Sequence, residues 1–353
     1  MPLTYKFPYD IPLDRELISL GFESTSHTFG VGVVRLRHGF VDVLANVNSQ
    51  YKPLKGGLHP REAALHHMEK AYPLLKQALR EAGVGLGDVS LVSYSMGPGL
   101  GPCLRVSASV ARFVASYYGK PLVPVNHAVA HIEVGRLFSG LEDPLVIYVS
   151  GGNTMIVAAR DGGYRVLGET LDIPLGNLLD TFAREVGIAP PYVVDGKHAV
   201  DICAEWSREF IPLPYTVKGS DLSFSGLLTA ALQKARRVGG EGLGAVCNSL
   251  RETAFNMLVE VAERSLLLTG KKSLLLVGGV ASNTVLKWKL EKLAEAHGIP
   301  YYGTPPEVAG DNGLMISYTG LLTYLYGVSV EPEKAVVKQR LRLDEGDYPW
   351  LKG

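Results

Sequence analysis

Apolar positions along the chain form short runs separated by small polar turns, and two of these arrangements are alike. Residues 18–36 give a buried strand, a turn of small polar residues and a second strand, which predicts a β-hairpin. Residues 145–159 repeat this order of strand, turn and strand. Elsewhere strand-like runs alternate with helical periodicity, from residues 60–82 to residues 311–326. The pattern predicts an α/β protein with two duplicated halves, in which helices cover mixed sheets.

The duplication also predicts the domain organisation of the 353-residue chain. We place the boundary between the two halves near Pro144. The expected parts are an irregular N-terminal arm (1–16), an N-terminal lobe with the candidate metal helix (17–143), a C-terminal lobe with the candidate nucleotide site (144–330) and a tail (331–353).

Charge, cysteine content and hydropathy limit the function classes. The 35 basic and 35 acidic residues cancel, whereas a protein that holds a large nucleic acid unaided usually carries a basic excess. A nucleic-acid partner would therefore be bound through a local contact surface or with the help of other subunits. The three scattered cysteines predict a reducing, cytoplasmic location and argue against both a disulfide framework and a thiolate metal site. No apolar run approaches the roughly 18 residues of a membrane span, so we expect no membrane partner.

Two histidines four residues apart are the most informative local feature. His127 and His131 follow Asn126, a favourable N-cap, so a helix would present both imidazoles on one face. Such a pair can offer two nitrogen ligands to a transition metal. It can equally be two polar residues at a helix start, and the pair alone does not decide. Ala128 stands where zinc proteases carry a glutamate, so a protease-type general base is absent there.

Small residues in two hairpin turns indicate phosphate binding. The turns at residues 23–28 and 150–154 expose backbone N–H groups and hydroxyls, and a Gly278-Gly279 turn precedes a later helix. Ordinary hairpin turns are the alternative for each, but their matching positions in two halves favour phosphate. Glu23, in the first turn, is a candidate for a polar or acid–base role; simple solvation of the turn is its alternative.

Two aspartates are further candidates on weaker grounds. Asp311 begins the last predicted helix, where it would either cap the helix or complete a His/His/Asp ligand set. Asp180 lies within a predicted helix, where aspartate is a poor helix former, and such carboxylates are usually solvated.

Six motifs, in this order, then resemble one known family. They are GGLHPREAA (56–64), NHAVAHIE (126–133), YVSGGNT (148–154), DLSFSGL (221–227), VGGVASN (277–283) and DNG (311–313). Together they resemble the TsaD/YgjD/Gcp family, in the wording of its archaeal and eukaryotic branch, the catalytic subunit of the KEOPS complex. The resemblance extends from about Leu17 to about Gly327.

The resemblance implies a fold, an activity and partners. The fold would be that of actin, Hsp70 and sugar kinases (ASKHA). The activity would be transfer of a threonylcarbamoyl group from threonylcarbamoyl-adenylate to N6 of adenosine 37 in tRNAs for ANN codons, assisted by one divalent metal ion, iron(II) first and zinc(II) as the alternative. ATP or ADP would be other occupants of the adenylate site. The partners would be tRNA and KEOPS subunits, including a small kinase/ATPase and small accessory proteins.

The resemblance also implies roles for individual residues. His127, His131 and Asp311 would hold the metal, with Tyr148 as a further ligand. The adenylate site would be lined by Tyr148, Val149, Ser150, Gly151, Gly152, Asp180 and Asn283. Residues 189–201 depart from the family, since its usual Pro-Gly-Gly-Pro turn is missing. With a shift in register, Gly196 would replace the second glycine of that turn and Asp201 the acidic residue that follows it.

Two other classes of function stay open on the sequence. The predicted fold and phosphate turns suit an ASKHA-type ATPase or kinase, although such an enzyme has no need of two imidazoles beside its nucleotide. A non-catalytic nucleotide-binding scaffold is the other hypothesis. Bound transition metal without turnover of a γ-phosphate would favour the transferase.

Overall fold

The computed structural model describes residues 3–9, 11, 16–53, 57–194 and 196–351. The chain divides into two compact units. The first contains Met1–Glu142, Arg160–Tyr164 and Asp311–Gly353; the second contains Asp143–Ala159 and Arg165–Gly310. No helix among the described residues combines the length and apolarity needed to cross a membrane.

The first unit is built on a six-stranded mixed sheet of order β1-β4-β3-β2-β5-β6. Strands β1 to β4 pair antiparallel, whereas β2, β5 and β6 are parallel. Its strands are β1 (Leu3–Lys6), β2 (Leu17–Glu23), β3 (Thr28–Arg37), β4 (Phe40–Gln50), β5 (Leu91–Gly97) and β6 (Leu122–Asn126). Its helices are α1 (Pro60–Ala82), α2 (Gly101–Tyr118), α3 (His127–Ser139) and, much later in the chain, α10 (Gly313–Leu325). The predicted first hairpin is confirmed as β2 and β3.

Alternation along β2 explains how two layers of helices cover this sheet. Leu20 and Phe22 join the apolar cluster under α1 and α2. Ser19 and Gly21, which alternate with them along the strand, face α10. Ser19 Oγ donates to the carbonyl of Ser317 at 2.7 Å. Because successive strand residues point to opposite faces, one strand serves both layers.

Glycines allow α10 to lie directly on the strands. A Cβ added at Gly32 would sit 2.3 Å from the carbonyl carbon of Gly313, and one added at Gly21 would sit 2.2 Å from the Ser317 nitrogen. The predicted domain division put residues 311–330 in the C-terminal lobe, but α10 belongs to the first unit. The sequence could not indicate this, because the close approach depends on glycines some 280 to 300 residues earlier in the chain.

The predicted arm is more ordered than expected, and the predicted tail is partly buried. The arm, expected to be irregular, contains β1, which pairs with β4 from Leu3↔Val43 to Lys6↔Phe40. The tail belongs to the first unit, and Leu343, Tyr348 and Trp350 are buried. Backbone pairing and burial of large apolar side chains provide the order in each case.

The second unit contains a five-stranded sheet of order β15-β14-β7-β8-β9. Its strands are β7 (Leu145–Val149), β8 (Thr154–Arg160), β9 (Gly163–Glu169), β14 (Leu274–Val277) and β15 (Tyr301–Gly303), with two short hairpins, β10 (Val193–Val194) with β11 (Lys197–His198) and β12 (Val217–Lys218) with β13 (Asp221–Leu222). Its helices are α4 (Leu175–Glu185), α5 (Ala199–Ala204), α6 (Ser225–Val238), α7 (Leu243–Thr269), α8 (Thr284–His297) and α9 (Pro306–Ala309). The predicted second hairpin is confirmed as β7 and β8, and β14 is a fully buried strand parallel to β7.

The expectation of no disulfide is wrong. Cys203 of α5 and Cys247 of α7 are bonded, across 44 positions of sequence, and both are buried. Scattered spacing hides such a pair, because only the packing of α5 on α7 brings the two sulfurs together.

Candidate metal centre

The histidine pair lies at the start of α3, and a capping residue immediately before it defines where this helix begins. Asn126 is the N-cap, and its side-chain oxygen accepts from the backbone N–H groups of Ala128 and Val129. This satisfies two of the donors that a helix start leaves unpaired. The rings of His127 and His131 lie 4.8 Å apart, nearly perpendicular, and both residues are buried. The predicted capping and shared face are confirmed.

Asp311 is not the cap of the last helix. The cap of α10 is Asn312, whose side chain accepts from the Met315 N–H. With capping assigned to the next residue, the Asp311 carboxylate turns to the histidines. Its Oδ1 lies 3.3 Å from His131 Nε2 and 3.5 Å from His127 Nε2.

Three ligand atoms therefore converge within the first unit. One atom each from His127, His131 and Asp311 lies within 4.8 Å of the other two. Two imidazoles and one carboxylate form a donor set that suits iron(II) or zinc(II) and leaves coordination positions open. By the chemistry of its donors, the cluster fits one divalent transition metal ion.

Glu23 lies behind the first histidine. Its Oε2 is 3.0 Å from His127 Nδ1, while its Oε1 accepts from the Thr25 N–H. The side chain is fully buried. A carboxylate on Nδ1 keeps the proton there and leaves Nε2 for a metal, an arrangement common among metal-binding histidines. This geometry favours orientation of His127 over a direct acid–base role for Glu23.

Burial and charge shift the pKa values of all three residues in the cluster. Burial alone would lower the pKa of His127, but Glu23 and Asp311 raise it to about 9. Burial also lowers the pKa of His131. Burial would raise the pKa of Asp311, yet His127 and His131 hold it well below its usual range. Asp311 is thus an anion, the state in which a carboxylate binds a cation.

The candidate nucleotide residues lie in the second unit. Ser150 Oγ accepts from the N–H groups of Gly152 and Asn153, which makes a tight turn between β7 and β8. Space around Gly151 and Gly152 is open, since an added Cβ would meet nothing within 4 Å. Backbone can therefore approach a ligand closely at this turn.

Gly278 lies against the end of the same strand. It has φ +92°, and an added Cβ would sit 2.3 Å from the Val149 carbonyl oxygen and 2.9 Å from the Tyr148 ring. Only glycine fits there, so the Gly278-Gly279 turn and the β7 end are brought together. The Tyr148 side chain is buried, and its hydroxyl accepts from Asn153 Nδ2 at 3.4 Å. Its role as a further metal ligand stays a prediction.

His198, which the sequence analysis did not single out, joins Asp180 to residues 189–201, the stretch that departs from the family pattern. His198 Nδ1 accepts from the Val200 N–H, which leaves Nε2–H to donate to Asp180 Oδ1 at 3.0 Å. Gly196 lies between β10 and β11 with φ +77°, a turn position that favours glycine. Asp195 lies outside the described residues. The sequence offered no signal for His198, because α5 was not predicted.

Asp201 and Asn283 meet directly. Asp201 Oδ2 accepts from Asn283 Nδ2 at 2.6 Å, and Arg251 Nη1 lies 3.8 Å from Oδ1. Asn283 also caps α8 through its side-chain oxygen. Burial raises the pKa of Asp201, against the opposing effects of His198 and Arg251. The structure thus joins two predicted residues and adds Arg251, which lay unmarked within a long helical pattern.

The fold and the cluster together define a class. Two mixed sheets, each with a leading hairpin, make this an α/β protein of the ASKHA fold that carries a candidate metal centre. HypF of T. kodakarensis superposes with a TM-score of 0.62 at 17% identity, covering 92% of this chain and about half (49%) of HypF. Component A of (R)-2-hydroxyglutaryl-CoA dehydratase of Acidaminococcus fermentans gives 0.51 at 12% identity, over 86% of this chain and 97% of that one.

Sequence comparison identifies the family. The model of the family described as TsaD, tRNA N6-adenosine threonylcarbamoyltransferase, matches residues 42–318, and the chain belongs to this family. A relative from Staphylothermus marinus with that name is 65% identical, covering 94% of this chain and all of the relative (100%). Another from Hyperthermus butylicus is 55% identical over 96% of this chain and 93% of its own length.

Proposed function

We propose that the chain transfers the threonylcarbamoyl group of threonylcarbamoyl-adenylate to N6 of adenosine 37 in tRNAs for ANN codons. The observation that carries this proposal is the convergence of His127, His131 and Asp311 within 4.8 Å in a member of the TsaD family. These three residues would hold one divalent ion, iron(II) or zinc(II). When bound, the ion would supply Lewis-acid charge for the carbamoyl carbonyl.

The chemistry asks mainly for positioning. The exocyclic N6 of adenine attacks the carbamoyl carbon, the bond from that carbon to the phosphate oxygen breaks, and AMP leaves with release of one proton. Adenine N6 is a weak nucleophile, so alignment and activation of the carbonyl matter more than a strong base. Glu23 orients His127, and Asn126 and Asn312 fix the helix ends that carry the ligands.

Residues of the second unit are proposed to hold the adenylate. Ser150, Gly151 and Gly152 would approach the phosphate, next to Tyr148 and Val149. Asp180, Asn283 and Asp201 would serve the nucleoside, with Gly196 in the adjoining turn. Support comes from the open turn at Gly151-Gly152 and the hydrogen bond between Asp201 and Asn283. ATP or ADP would compete for the same residues.

Partners follow from charge and from the acceptor. A net charge of zero gives little general electrostatic attraction for tRNA. KEOPS subunits, including a small kinase/ATPase, are therefore proposed to contribute to tRNA binding. With tRNA as acceptor, the proposed location is the cytoplasm.

The test measures metal content and modified nucleoside together. Protein supplied with threonylcarbamoyl-adenylate, tRNA and the partner subunits should form N6-threonylcarbamoyladenosine, whereas His127→Ala, His131→Ala and Asp311→Ala should lose both metal and transfer. His297→Ala, on α8, is the matched control and should keep both. Full transfer by the ligand variants without bound metal would disprove the assignment. Release of γ-phosphate from ATP without transfer would instead indicate the ATPase.

A further inference from the structure

The C-terminal tail contacts α3 at two separate points. Near the start of the helix, Asn126 Nδ2 donates to the Arg342 carbonyl at 3.1 Å and to the Tyr348 hydroxyl at 3.4 Å. The Tyr348 hydroxyl in turn donates to the Leu343 carbonyl at 2.9 Å. The residue that caps the candidate metal helix is therefore itself fixed by the tail.

The second point is Glu133, in the middle of α3. Its carboxylate is fully buried and accepts from Trp350 Nε1 at 2.7 Å, from the Tyr9 hydroxyl at 3.1 Å and from the Tyr164 hydroxyl. Arg136 Nη1 lies 3.2 Å away and balances the charge. A buried charge so completely paired is held in one position, because any displacement would leave it unpaired.

The geometry of α3 links these contacts to the histidines. At about 100° per residue, Glu133 lies roughly opposite His131 around the helix axis. Eleven of the 13 residues of α3 are buried, so the helix behaves as one packed body. A contact that fixes its rear face and a contact that fixes its cap together set where the two imidazoles point.

The tail is itself anchored to the sheet. The Lys338 N–H donates to the Met96 carbonyl at 2.8 Å, and the Gly99 N–H donates to the Gln339 carbonyl at 3.2 Å. At Gly97 the backbones touch so closely that an added Cβ would sit 1.9 Å from the Lys338 carbonyl oxygen. The tail therefore connects the end of β5 to the N-cap of α3 and to the face of α3 that carries Glu133.

We infer that residues 338–351 form a clamp that fixes the position and orientation of α3, the helix that carries His127 and His131. Trp350 is the positioning residue of this clamp, because its indole N–H donates to Glu133. This rests on the proposed function, since the clamp acts by fixing His127 and His131 for a metal ion. Trp350 acts through Glu133 and does not itself contact the candidate ligands or the substrate. Its effect should appear first in metal affinity and only through it in transfer.

The test compares Zn²⁺ binding in full-length protein after removal of metal with a chelator. Trp350→Phe keeps an aromatic ring and removes the N–H, and it should weaken Zn²⁺ binding about tenfold in competition with a fluorescent chelator. Trp288→Phe, at an exposed position of α8, is the matched control and should bind as the wild type does. Transfer by Trp350→Phe should recover at saturating Zn²⁺.

A spectroscopic measurement covers the case in which Trp350→Phe does not fold. The variant Trp206→Phe/Trp288→Phe changes two exposed side chains and leaves Trp350 as the only tryptophan. Zn²⁺ should shift or quench its emission in step with binding, which a merely structural contact would not do.

The outcomes separate this proposal from the proposed function. Equal Zn²⁺ affinity in Trp350→Phe and wild type, or saturation with no change in Trp350 emission, would overturn the clamp alone. A wild type that binds Zn²⁺ with Trp350-dependent affinity but never transfers the group would leave the clamp standing and refute the transferase. A wild type without affinity for Zn²⁺ would refute the metal assignment and the clamp together.

Discussion

Glu23 offers the sharpest test of how the candidate metal centre is organised. The substitution Glu23→Gln keeps the shape of the side chain and one acceptor oxygen but removes the charge that faces His127 Nδ1 at 3.0 Å. Partners of this kind on metal-binding histidines are worth 10- to 100-fold in metal affinity, which is about 1.4 to 2.7 kcal/mol. Because the Glu23 side chain is fully buried, solvent screening should not diminish the effect. The same charge raises the pKa of His127 to about 9, so its loss also lessens competition from protons at neutral pH, and we expect the lower half of this range.

The assay is equilibrium binding of Zn²⁺ at one fixed pH, because protons compete for His127. Glu69→Gln, an exposed position on α1, is the control and should leave the affinity unchanged. A dissociation constant for Glu23→Gln within twofold of the wild type would refute the orienting role.

The same variant separates orientation from acid–base catalysis. If Glu23 only orients His127, saturating metal should restore the rate of transfer. If the rate stays low although the metal content is normal, Glu23 takes part in the proton transfer itself.

The remaining predictions concern stability. The bond between Cys203 and Cys247, 44 positions apart, should contribute about 4 kcal/mol to the free energy of unfolding. Reductant should therefore lower the denaturation midpoint of the wild type but not that of the double alanine variant. An unchanged wild-type midpoint would contradict this prediction. Gly32→Ala should cost about 3 kcal/mol and weaken metal binding, because the new methyl group would meet the Gly313 backbone at 2.3 Å. Gly87→Ala, in open space, is its control in the same denaturation series, and equal midpoints for the two variants would contradict the close-packing argument.

Most elements of the fold could be predicted, because their signals are local. Short apolar runs separated by small polar turns predicted both hairpins, and helical periodicity predicted α1 with its observed ends, Pro60 and Ala82. Asn126 marked the start of α3, since capping is a matter of a few neighbouring residues. The weakest prediction was the stretch from 189 to 226, whose short strands and α5 depend on contacts with the rest of the second unit.

The candidate site could be predicted only in part. The pairing of His127 with His131 follows from helix geometry alone. The prediction for Asp311 stayed open between a cap and a ligand, and the choice depended on Asn312 taking the cap. No local pattern indicated that Glu23 lies behind His127, or that His198 joins Asp180.

The sequence by itself therefore determined the elements, their caps and a pair of imidazoles on one helix face. Tertiary structure decided what joins that pair: Asp311 from 180 residues away, Glu23 from the first hairpin, and the tail that holds the helix. It also decided the disulfide and the assignment of α10 to the first unit. The physical reason is that periodicity and capping act within one or two turns of chain, whereas a metal centre needs atoms brought within a few ångströms from distant segments, which only packing supplies.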